Sequence, residues 1–451
     1  MDIFKERKGY FFSNRDLTKL VVPLIIEQLL AILVGMADSI MVSSVGEAAV
    51  SGVSLVDTIF ILLINIFAAL ATGGAVVSGQ YIGKRRPEEG CKAADQLVLF
   101  TIVLSVVVMA AVYVCKPFIL HVVFGKIEAD VMRNSNLYLL IVAASIPFIA
   151  LYNAGAAIFR AMGNAKIAMY MSLFMNGINI AGNAILLYGF HWGVEGAALP
   201  TLISRMAAGV VMIILLFNQK LQIHLSWPLS LQFQWNTLRK ILHIGIPNGL
   251  ENSMFQLGKI LVLSMVSGCG TAAIAANAVS NTIACFQILP GMAIGFAILT
   301  VSAQCAGAGD FEQVRYYTKK LMIIAYISTI ISAGILLVGV RYILRFYALP
   351  QDTANLAVSM VSLHCIFDFF VWPMAFSFPN ALRAANDATF TMIVSTFSMW
   401  TFRFALSYVF ALYLHMGVIG VWWAMIVDWI FRSICFMIRY RSNKWMNRTL
   451  V

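Results

Sequence analysis

A few ionisable side chains lie inside long apolar runs, where they could bind an ion, a proton or a charged substrate. If such runs cross a membrane, each charge costs at least ~2.5–3.5 kcal/mol on insertion scales, so charges kept there are usually functional. Glu27 and Asp38 lie eleven residues apart in the first run, and three helical turns return both carboxylates to nearly one face. Glu251, Lys259 and Asp368 lie in later runs. We take Asp38 as a candidate cation ligand and the other four as candidates for proton or substrate coupling.

Lys259 is the deepest cation among these candidates. It lies about nine residues, or roughly 13 Å, from the outer end of its run. Its side chain cannot easily extend to water from that depth, so we expect a carboxylate partner, either Asp368 or Glu251. Glu27 and Glu251 could instead complete internal hydrogen-bond networks. Of the remaining charges in apolar runs, we favour a structural hydrogen-bonding role near the interface for Asp57, and a structural role for Arg205 and Arg403, whose long side chains could extend to an interface.

Side-chain amides form a second polar group. Asn179 and Asn183 are one helical turn apart, and Thr201 follows Pro200 at the start of the next run. With Asp38 they would supply carboxylate, amide and hydroxyl oxygens, which are the ligands that small hard cations prefer. The same set could surround an aspartate that takes up a proton, or the asparagines could only hold helices together.

Composition indicates whether water or a lipid bilayer surrounds most of this chain. Hydrophobic residues make up 61% of the chain and charged residues 11%, whereas soluble domains carry about 25% charged residues. Apolar runs long enough to cross a membrane recur from end to end, and helices satisfy every backbone polar group within the bilayer. The net charge of +11 collects near the ends of these runs, which argues against a nucleic-acid partner.

We predict an all-α polytopic membrane protein with twelve transmembrane helices, six in each half. The predicted spans are 17–43, 50–78, 93–115, 133–158, 165–189, 195–217, 240–268, 274–302, 317–339, 354–382, 389–413 and 417–439. The corresponding domains are a cytoplasmic segment at 1–16, a first lobe at 17–217, a cytoplasmic linker at 218–239, a second lobe at 240–440 and a cytoplasmic tail at 441–451.

The chain is an internal duplication, in which equivalent residues keep a nearly constant spacing. Pro23 and Glu27 recur as Pro247 and Glu251, and the segment 160–165 recurs at 383–388. Because each half has an even number of spans, both halves insert in one orientation. We therefore expect two six-helix bundles related by a pseudo-two-fold axis along the membrane normal. Asp38 aligns with Val262, so the candidate cation site is not repeated.

The basic residues predict the topology. Under the twelve-span interpretation, most of them share the face that carries both termini, which places the termini in the cytoplasm. This face has Lys5, Arg7, Lys8, Arg15, Lys19, Lys84, Arg85, Arg86, Lys92, Arg160, Lys166, Lys220, Arg239, Lys240, Arg315, Lys319, Lys320, Arg439, Arg441, Lys444 and Arg448, and the other has Lys116, Lys126, Arg133, Arg341 and Arg345. We see no cleavable signal peptide, and the seven scattered cysteines have no metal-ligand spacing.

Several motifs together resemble the multidrug and toxic compound extrusion (MATE) family. They include Ala37-Asp38-Ser39-Ile40-Met41-Val42, Phe159-Arg160-Ala161-Met162-Gly163-Asn164, Asn179-Ile180-Ala181-Gly182-Asn183, Gly245-Ile246-Pro247 and Gly417-Val418-Ile419-Gly420. The resemblance covers about residues 17–440. No single motif is specific, and it is their order, spacing and duplication that carry the resemblance.

The resemblance implies a bacterial inner-membrane antiporter with two six-helix bundles around a central cleft. It would export organic cations or drug-like amphiphiles in exchange for Na+ or H+, without a cofactor, as a monomer in contact with lipid. The family's first-lobe cation site falls on Asp38, Asn179, Asn183 and Thr201, with Na+ as the metal if the ion is sodium.

The second lobe departs from the family pattern. Phe255 and Trp372 stand where relatives carry acids, and Glu251 and Asp368 lie one turn earlier in each case. We therefore consider a displaced Glu251–Asp368 pair, which Lys259 could neutralise.

Two other function classes are weighed. A flippase for lipid-linked precursors, from the same broader superfamily, could share the architecture, although such flippases often have a cationic cleft. The six histidines are dispersed and no hydrolase motif occurs, so we do not expect an enzyme.

Overall fold

The structure is a computed structural model, and it describes residues 9–125, 127–228, 232–345, 347 and 349–448. Every regular element in these residues is helical. The first half of the chain forms α1 (Asn14–Ser43), α2 (Glu47–Gly83), α3 (Pro87–Val114), α4 (Ala129–Ala143 and Ile146–Ala161), α5 (Ala165–Gly189) and α6 (Glu195–Leu216). Short helical pieces at Lys116–Phe118 and Ile119–Val123 follow α3.

The second half repeats this order. It forms α7 (Trp235–Ser267), α8 (Thr271–Gly307), α9 (Phe311–Arg345), α10 (Gln351–Ala384), α11 (Ala388–Ser398 continued by Met399–Ala405, Leu406–Tyr408 and Val409–Tyr413) and α12 (Gly417–Arg441). A short 3-10 helix follows at Lys444–Asn447. The ends of α5 and α11 and the middle of α10 are wound as π-helix.

Each of the twelve predicted spans falls on one of these helices. Among the described residues, nine helices are long and apolar enough to cross a membrane, and the two pieces of α4, which meet at a bend of 51°, make a tenth. The other two are α7, which carries Asn248, Glu251 and Lys259, and α11, which is interrupted by π-helical turns. The basic residues Lys5, Arg7, Lys8 and Lys126, used above for topology, lie outside the described residues.

The backbone repeats as closely as the sequence does. Helices α2 and α8 begin and end at equivalent positions of the two repeats, and both are 37 residues long. Turns that need a left-handed backbone also recur, and His191 and His415 have φ of 54° and 53°. The other equivalent pairs with positive φ are Gly46 and Gly270, Arg85 and Gly309, and Gly163 and Asn386. The duplication thus preserved local chain geometry even where the residue type changed.

The described chain divides into two compact units, one of which is Ile26–Gly249. The other contains the chain up to Ile25 together with the chain from Leu250 onward. The start of the chain belongs to this second unit because it is bonded to α9. The backbone N–H of Phe12 donates to the Tyr317 hydroxyl at 2.8 Å, and that hydroxyl donates to the Phe12 carbonyl oxygen at 2.8 Å.

Equivalent helices pack in the same way inside each unit. In the first unit, α2 packs against α3 and α4, and α6 packs against α4 and α5. In the second unit, α8 packs against α9 and α10, and α12 packs against α10 and α11. Small residues allow the closest approaches. A Cβ on Gly209 of α6 would lie 2.5 Å from the Phe148 carbonyl oxygen of α4.

We predict that Gly209→Ala destabilises the protein, because the new methyl would collide with backbone that cannot move aside. The expected loss is ~1–3 kcal/mol, typical of overpacking, and it would lower the midpoint of thermal unfolding of the purified protein. Gly177→Ala is the matched control, because a Cβ there meets nothing within 4 Å and alanine favours helix. Equal midpoints for the two variants would contradict the prediction.

Candidate functional site

Four polar side chains from α1, α5 and α6 meet inside the first unit. The Asn183 amide nitrogen donates to Asp38 Oδ1 at 2.7 Å, and the Asn179 amide nitrogen donates to Thr201 Oγ1 at 3.1 Å. Asp38 is half-buried, and the other three side chains are buried. The structure therefore brings together Asp38, Asn179, Asn183 and Thr201, as the sequence predicted.

Close packing of α5 on α6 explains how the amides reach Thr201. A Cβ on Gly182 would lie 2.7 Å from the Pro200 side chain, so only glycine allows this approach. The Thr201 hydroxyl donates to the Ala197 carbonyl oxygen at 2.9 Å, which directs its lone pairs toward Asn179. Helix α5 changes from α to π winding directly after Asn183.

The Asn179 amide fits its neighbours better when its nitrogen and oxygen exchange places. Turning the Asn179 amide over, so that its nitrogen and oxygen exchange places, lets the nitrogen donate to Asp38 Oδ1 at 2.7 Å while the oxygen accepts from Thr201 at 3.1 Å. Asp38 would then receive N–H groups from two amides, which stabilise a carboxylate. The Asn183 Oδ1 atom is buried and has no hydrogen-bond donor. An oxygen in that position fits a cation ligand, and Asp38, Asn179 and Thr201 supply further oxygens nearby.

More charge lies close to this group. The Tyr138 hydroxyl donates to Asp57 Oδ1 at 3.3 Å, and Arg205 donates to the Ser145 hydroxyl at 3.0 Å. The positive charge of Arg205 interacts favourably with both Asp38 and Asp57, and the two carboxylates repel each other. Asp57 and Arg205 thus set the electrostatic potential at Asp38, a contribution that we did not predict.

Glu27 and Glu251 lie in equivalent ion pairs, one in each unit. Arg160 of α4 donates to Glu27 Oε1 at 3.0 Å, and Arg383 of α10 donates to Glu251 Oε1 at 2.7 Å. Both glutamates are buried. The considered Glu251–Asp368 pair is therefore not formed, because Glu251 is held by Arg383 and, at 3.4 Å, by the Thr391 hydroxyl.

Asp368 lies instead in a buried polar cluster of the second unit. It is fully buried beside Gln287, and neither of its oxygens has a hydrogen-bond partner within 3.5 Å. The Gln287 amide oxygen contacts the His364 ring nitrogen at 2.8 Å and accepts from the Cys365 thiol at 3.1 Å.

Lys259 does not have the carboxylate partner that we expected. No carboxylate of the described chain lies within 4.0 Å of its ammonium group, and its nearest aromatic contact is the Phe255 ring at 5.9 Å. Glu251 is paired with Arg383, and Asp368 is buried beside Gln287. Residue Lys259 is exposed on the surface of its unit.

Sequence reasoning missed an ion pair in α12. Asp428 is fully buried, and Arg432, one helical turn later, donates to Asp428 Oδ1 at 2.8 Å. The Ser398 hydroxyl donates to the same oxygen at 2.5 Å, and Arg403 lies 4.0 Å from Asp428 Oδ2. The signal was present, because opposite charges four residues apart inside an apolar run indicate a buried pair.

A family comparison agrees with the duplication. The model of the MatE family matches residues 23–185 and again residues 247–409, which together make up more than half of the chain. The chain belongs to the MatE family. The two matches have the same length and the same spacing at both ends, so the internal repeat is confirmed.

MatE relatives of similar length cover nearly the whole chain. One is "Uncharacterized transporter YisQ" of Bacillus subtilis (strain 168), which is 27% identical over 96% of this chain and 95% of its own. Another is "Probable multidrug resistance protein NorM" of Thermotoga maritima, which is 24% identical over 97% of this chain and 94% of its own. The family is one of transporters, so the prediction that this chain is not an enzyme is confirmed.

Solved MatE structures confirm the fold class. A crystal structure of MATE in complex with MaD3S has a TM-score of 0.90 at 19% identity, with 99% of each chain covered. A second structure, of a "multidrug resistance MATE family transporter of the MOP superfamily" in an outward-facing conformation, has a TM-score of 0.87 and covers 96% of each chain at 19% identity. At such identities the likeness shows the all-helical, membrane-spanning fold.

We predict that the repeated ion pairs of this MatE protein stabilise its fold. Glu27→Gln would leave the Arg160 guanidinium without that carboxylate, and breaking one partner of a buried pair costs about 3–5 kcal/mol. The double variant Glu27→Gln/Arg160→Gln should lose less stability than the sum of the two single variants, because neither charge is then left alone.

The measurement is the free energy of unfolding in one detergent. It is made on the unmodified protein, the two single variants and the double variant, which together form a double-mutant cycle. The same cycle on Glu251 and Arg383 is the internal comparison, and we expect coupling of the same sign. Additive losses in both cycles would show that the contacts seen in the structure contribute no stability.

Proposed function

We propose that this protein is a secondary active antiporter that exports drug-like amphiphiles, including organic cations, in exchange for Na+ or H+. It would work by alternating access, through rocking of its two lobes. The observation that carries the proposal is the cluster of Asp38, Asn179, Asn183 and Thr201, which unites one carboxylate with amide and hydroxyl groups inside the first unit. The names of the relatives, several of them multidrug resistance proteins, support export of drugs as the activity.

The proposed topology follows from the sequence. We propose a multi-pass protein of the inner membrane with both termini in the cytoplasm, which contacts lipid directly and acts as a monomer. The support is the distribution of basic residues along the chain, which follows the positive-inside rule.

Coupling would arise at Asp38 through its amide neighbours. With no ion bound, Asn183 donates its amide N–H group to Asp38, which balances part of the carboxylate charge. A cation at Asp38 would replace this donor and attract amide oxygens, so the amides would rotate and α1 would repack against α5. Exchange then requires that ion and substrate favour different conformations, or that they compete for the same carboxylate.

The remaining candidates divide into two groups. Asp368 and Lys259 retain proposed roles in substrate or proton coupling, because neither forms an ion pair with another residue of the described chain. We assign Glu27 and Glu251 a structural role, since an arginine of the same unit holds each of them.

We predict that Asp38→Asn lowers ion-driven efflux of an organic cation such as ethidium by at least about tenfold, within the usual range of coupling free energies. The measurement uses proteoliposomes with Na+ and pH gradients imposed separately. Asp130→Asn is the matched control, because Asp130 is an exposed acid of the same unit, and it should transport at the normal rate. Transport by Asp38→Asn at the rate of the unmodified protein would exclude Asp38 from coupling.

We further predict that the coupling ion is Na+, because the unpartnered Asn183 Oδ1 atom offers a cation ligand that a proton on Asp38 would not use. At a hundred times its dissociation constant, a ligand specific for the folded state adds ~2.7 kcal/mol to stability. NaCl should therefore raise the midpoint of thermal unfolding relative to KCl at equal ionic strength. The shift should vanish in Asp38→Asn and weaken in Thr201→Val.

Two observations together would favour proton coupling instead. A pH gradient would drive efflux in Na+-free buffer, and the midpoints of thermal unfolding in NaCl and in KCl would be equal.

A further inference from the structure

A cavity with a basic lining lies at one end of the first unit, where α2 ends and where α3 and α7 begin. Its volume is about 610 Å³, which is within the size range of ligand sites. Its lining includes Tyr81 of α2, Lys92 of α3, and Trp235 and Lys240 of α7. We call it the basic cavity. It lies on the face that we propose to be cytoplasmic.

A buried side chain fixes one wall of the basic cavity. The Gln96 amide nitrogen of α3 donates to the Gln232 carbonyl oxygen at 2.9 Å, and its amide oxygen accepts from the Gln234 backbone N–H at 2.8 Å. Gln96 is itself buried. The segment that leads into Trp235 is therefore attached to α3 by two hydrogen bonds, so the cavity is part of the packed unit.

The charge of the basic cavity is positive. Lys240 is half-buried, and its ammonium donates to the Tyr81 hydroxyl at 3.0 Å, whereas Lys92 is exposed. In the part of the chain that the structure describes, no carboxylate lies within 4.0 Å of either ammonium group. Glu89 also lines the cavity, but it is paired with Arg86 at 3.4 Å. The two lysines are therefore available to an anion.

The second repeat does not have these lysines at the equivalent positions. Tyr316 is the equivalent of Lys92, and Asp16 is the equivalent of Lys240. The ring of Tyr10 packs on Tyr316 with the centroids 5.1 Å apart. The fold that the two repeats share therefore does not require two lysines here, which indicates that they serve a role of the first repeat alone.

Exposed aromatic side chains near the basic cavity indicate a lipid surface. Trp227, Phe233 and Trp235 are 80%, 49% and 64% exposed. Aromatic residues at the ends of membrane spans are typical of the depth of lipid headgroups, because their rings have an apolar body and, in tryptophan, a polar N–H. Basic pockets at the cytoplasmic ends of membrane helices attract the anionic lipids of that leaflet.

We propose that the basic cavity binds the phosphate group of an anionic phospholipid from the cytoplasmic leaflet. The ammonium groups of Lys92 and Lys240 and the hydroxyl of Tyr81 would donate to the phosphate oxygens. Trp235 would pack against the glycerol and the upper part of an acyl chain. The inference goes beyond the proposed transport activity, because it concerns a site that shares no residue with the proposed ion site.

The test is native mass spectrometry of the purified full-length protein in detergent, which resolves the binding of single lipid molecules. The probes are dioleoylphosphatidylglycerol and, as the zwitterionic comparison, dioleoylphosphatidylcholine. We expect the first phosphatidylglycerol to bind at least about tenfold more tightly than the first phosphatidylcholine. Lys92→Gln and Lys240→Gln should each weaken phosphatidylglycerol binding about fivefold, and Lys92→Arg should retain it. Lys166→Gln is the matched control, because it removes an exposed cation from α5 of the same unit.

Three results would overturn the inference. One is equal affinity of the unmodified protein for the two lipids, and another is a loss in Lys92→Gln no larger than that in Lys166→Gln. The third is displacement of phosphatidylglycerol by an equal concentration of inorganic phosphate, which would show that the cavity takes free phosphate. Because Lys92 is exposed, its substitution should leave the fold intact. Binding is measured without an ion gradient, so its outcome is independent of the proposed antiport.

Discussion

A buried ion pair between a glutamate and an arginine, made once in each repeat, is the constraint on which the arrangement of the helices depends. A carboxylate inside a bilayer is costly unless a cation compensates it, so Glu27 must remain beside Arg160 and Glu251 beside Arg383. Each pair joins the first helix of its repeat to the end of the fourth. The duplication preserved both partners because a change in either one alone leaves a buried charge uncompensated.

The Glu27–Arg160 ion pair also determines which way α1 faces at Asp38, further along the same helix. Asp38 lies eleven residues after Glu27, about 16 Å along the axis of α1 and close to the same helical face. There it contacts Asn183 of α5. At the equivalent position of α7 the residue is Val262, and Lys259 lies about one turn earlier. The same scaffold therefore holds an acid in one repeat and a base in the other.

Most of the fold could be predicted from the sequence because apolar length and a constant repeat spacing are local signals. The meeting of Asp38 with Asn179 and Asn183 could also be expected, since helical spacing places the two amides on one face. Ion-pair partners could not be predicted in this way. The pairing of Glu251 with Arg383 joins α7 to α10, and the burial of Asp428 and Arg432 depends on packing of α11 against α12. Spacing along the sequence predicts which side chains share a face of one helix, but not which residues of different helices come into contact.

Backbone geometry and side-chain charge have diverged to different extents since the duplication. His191 and His415 retain the same left-handed turn, and both repeats retain a Glu–Arg pair, whereas Asp38 of the first repeat aligns with Val262 of the second. The first unit surrounds Asp38 with amides and a second carboxylate, Asp57, which suits a cation. The second unit places Lys259, Arg403 and Arg432 around Phe255, and Asp428 pairs with Arg432. The duplication thus kept the ion pair that stabilises the helices and changed the position proposed for ion coupling, which is Asp38 in one half and Val262 in the other.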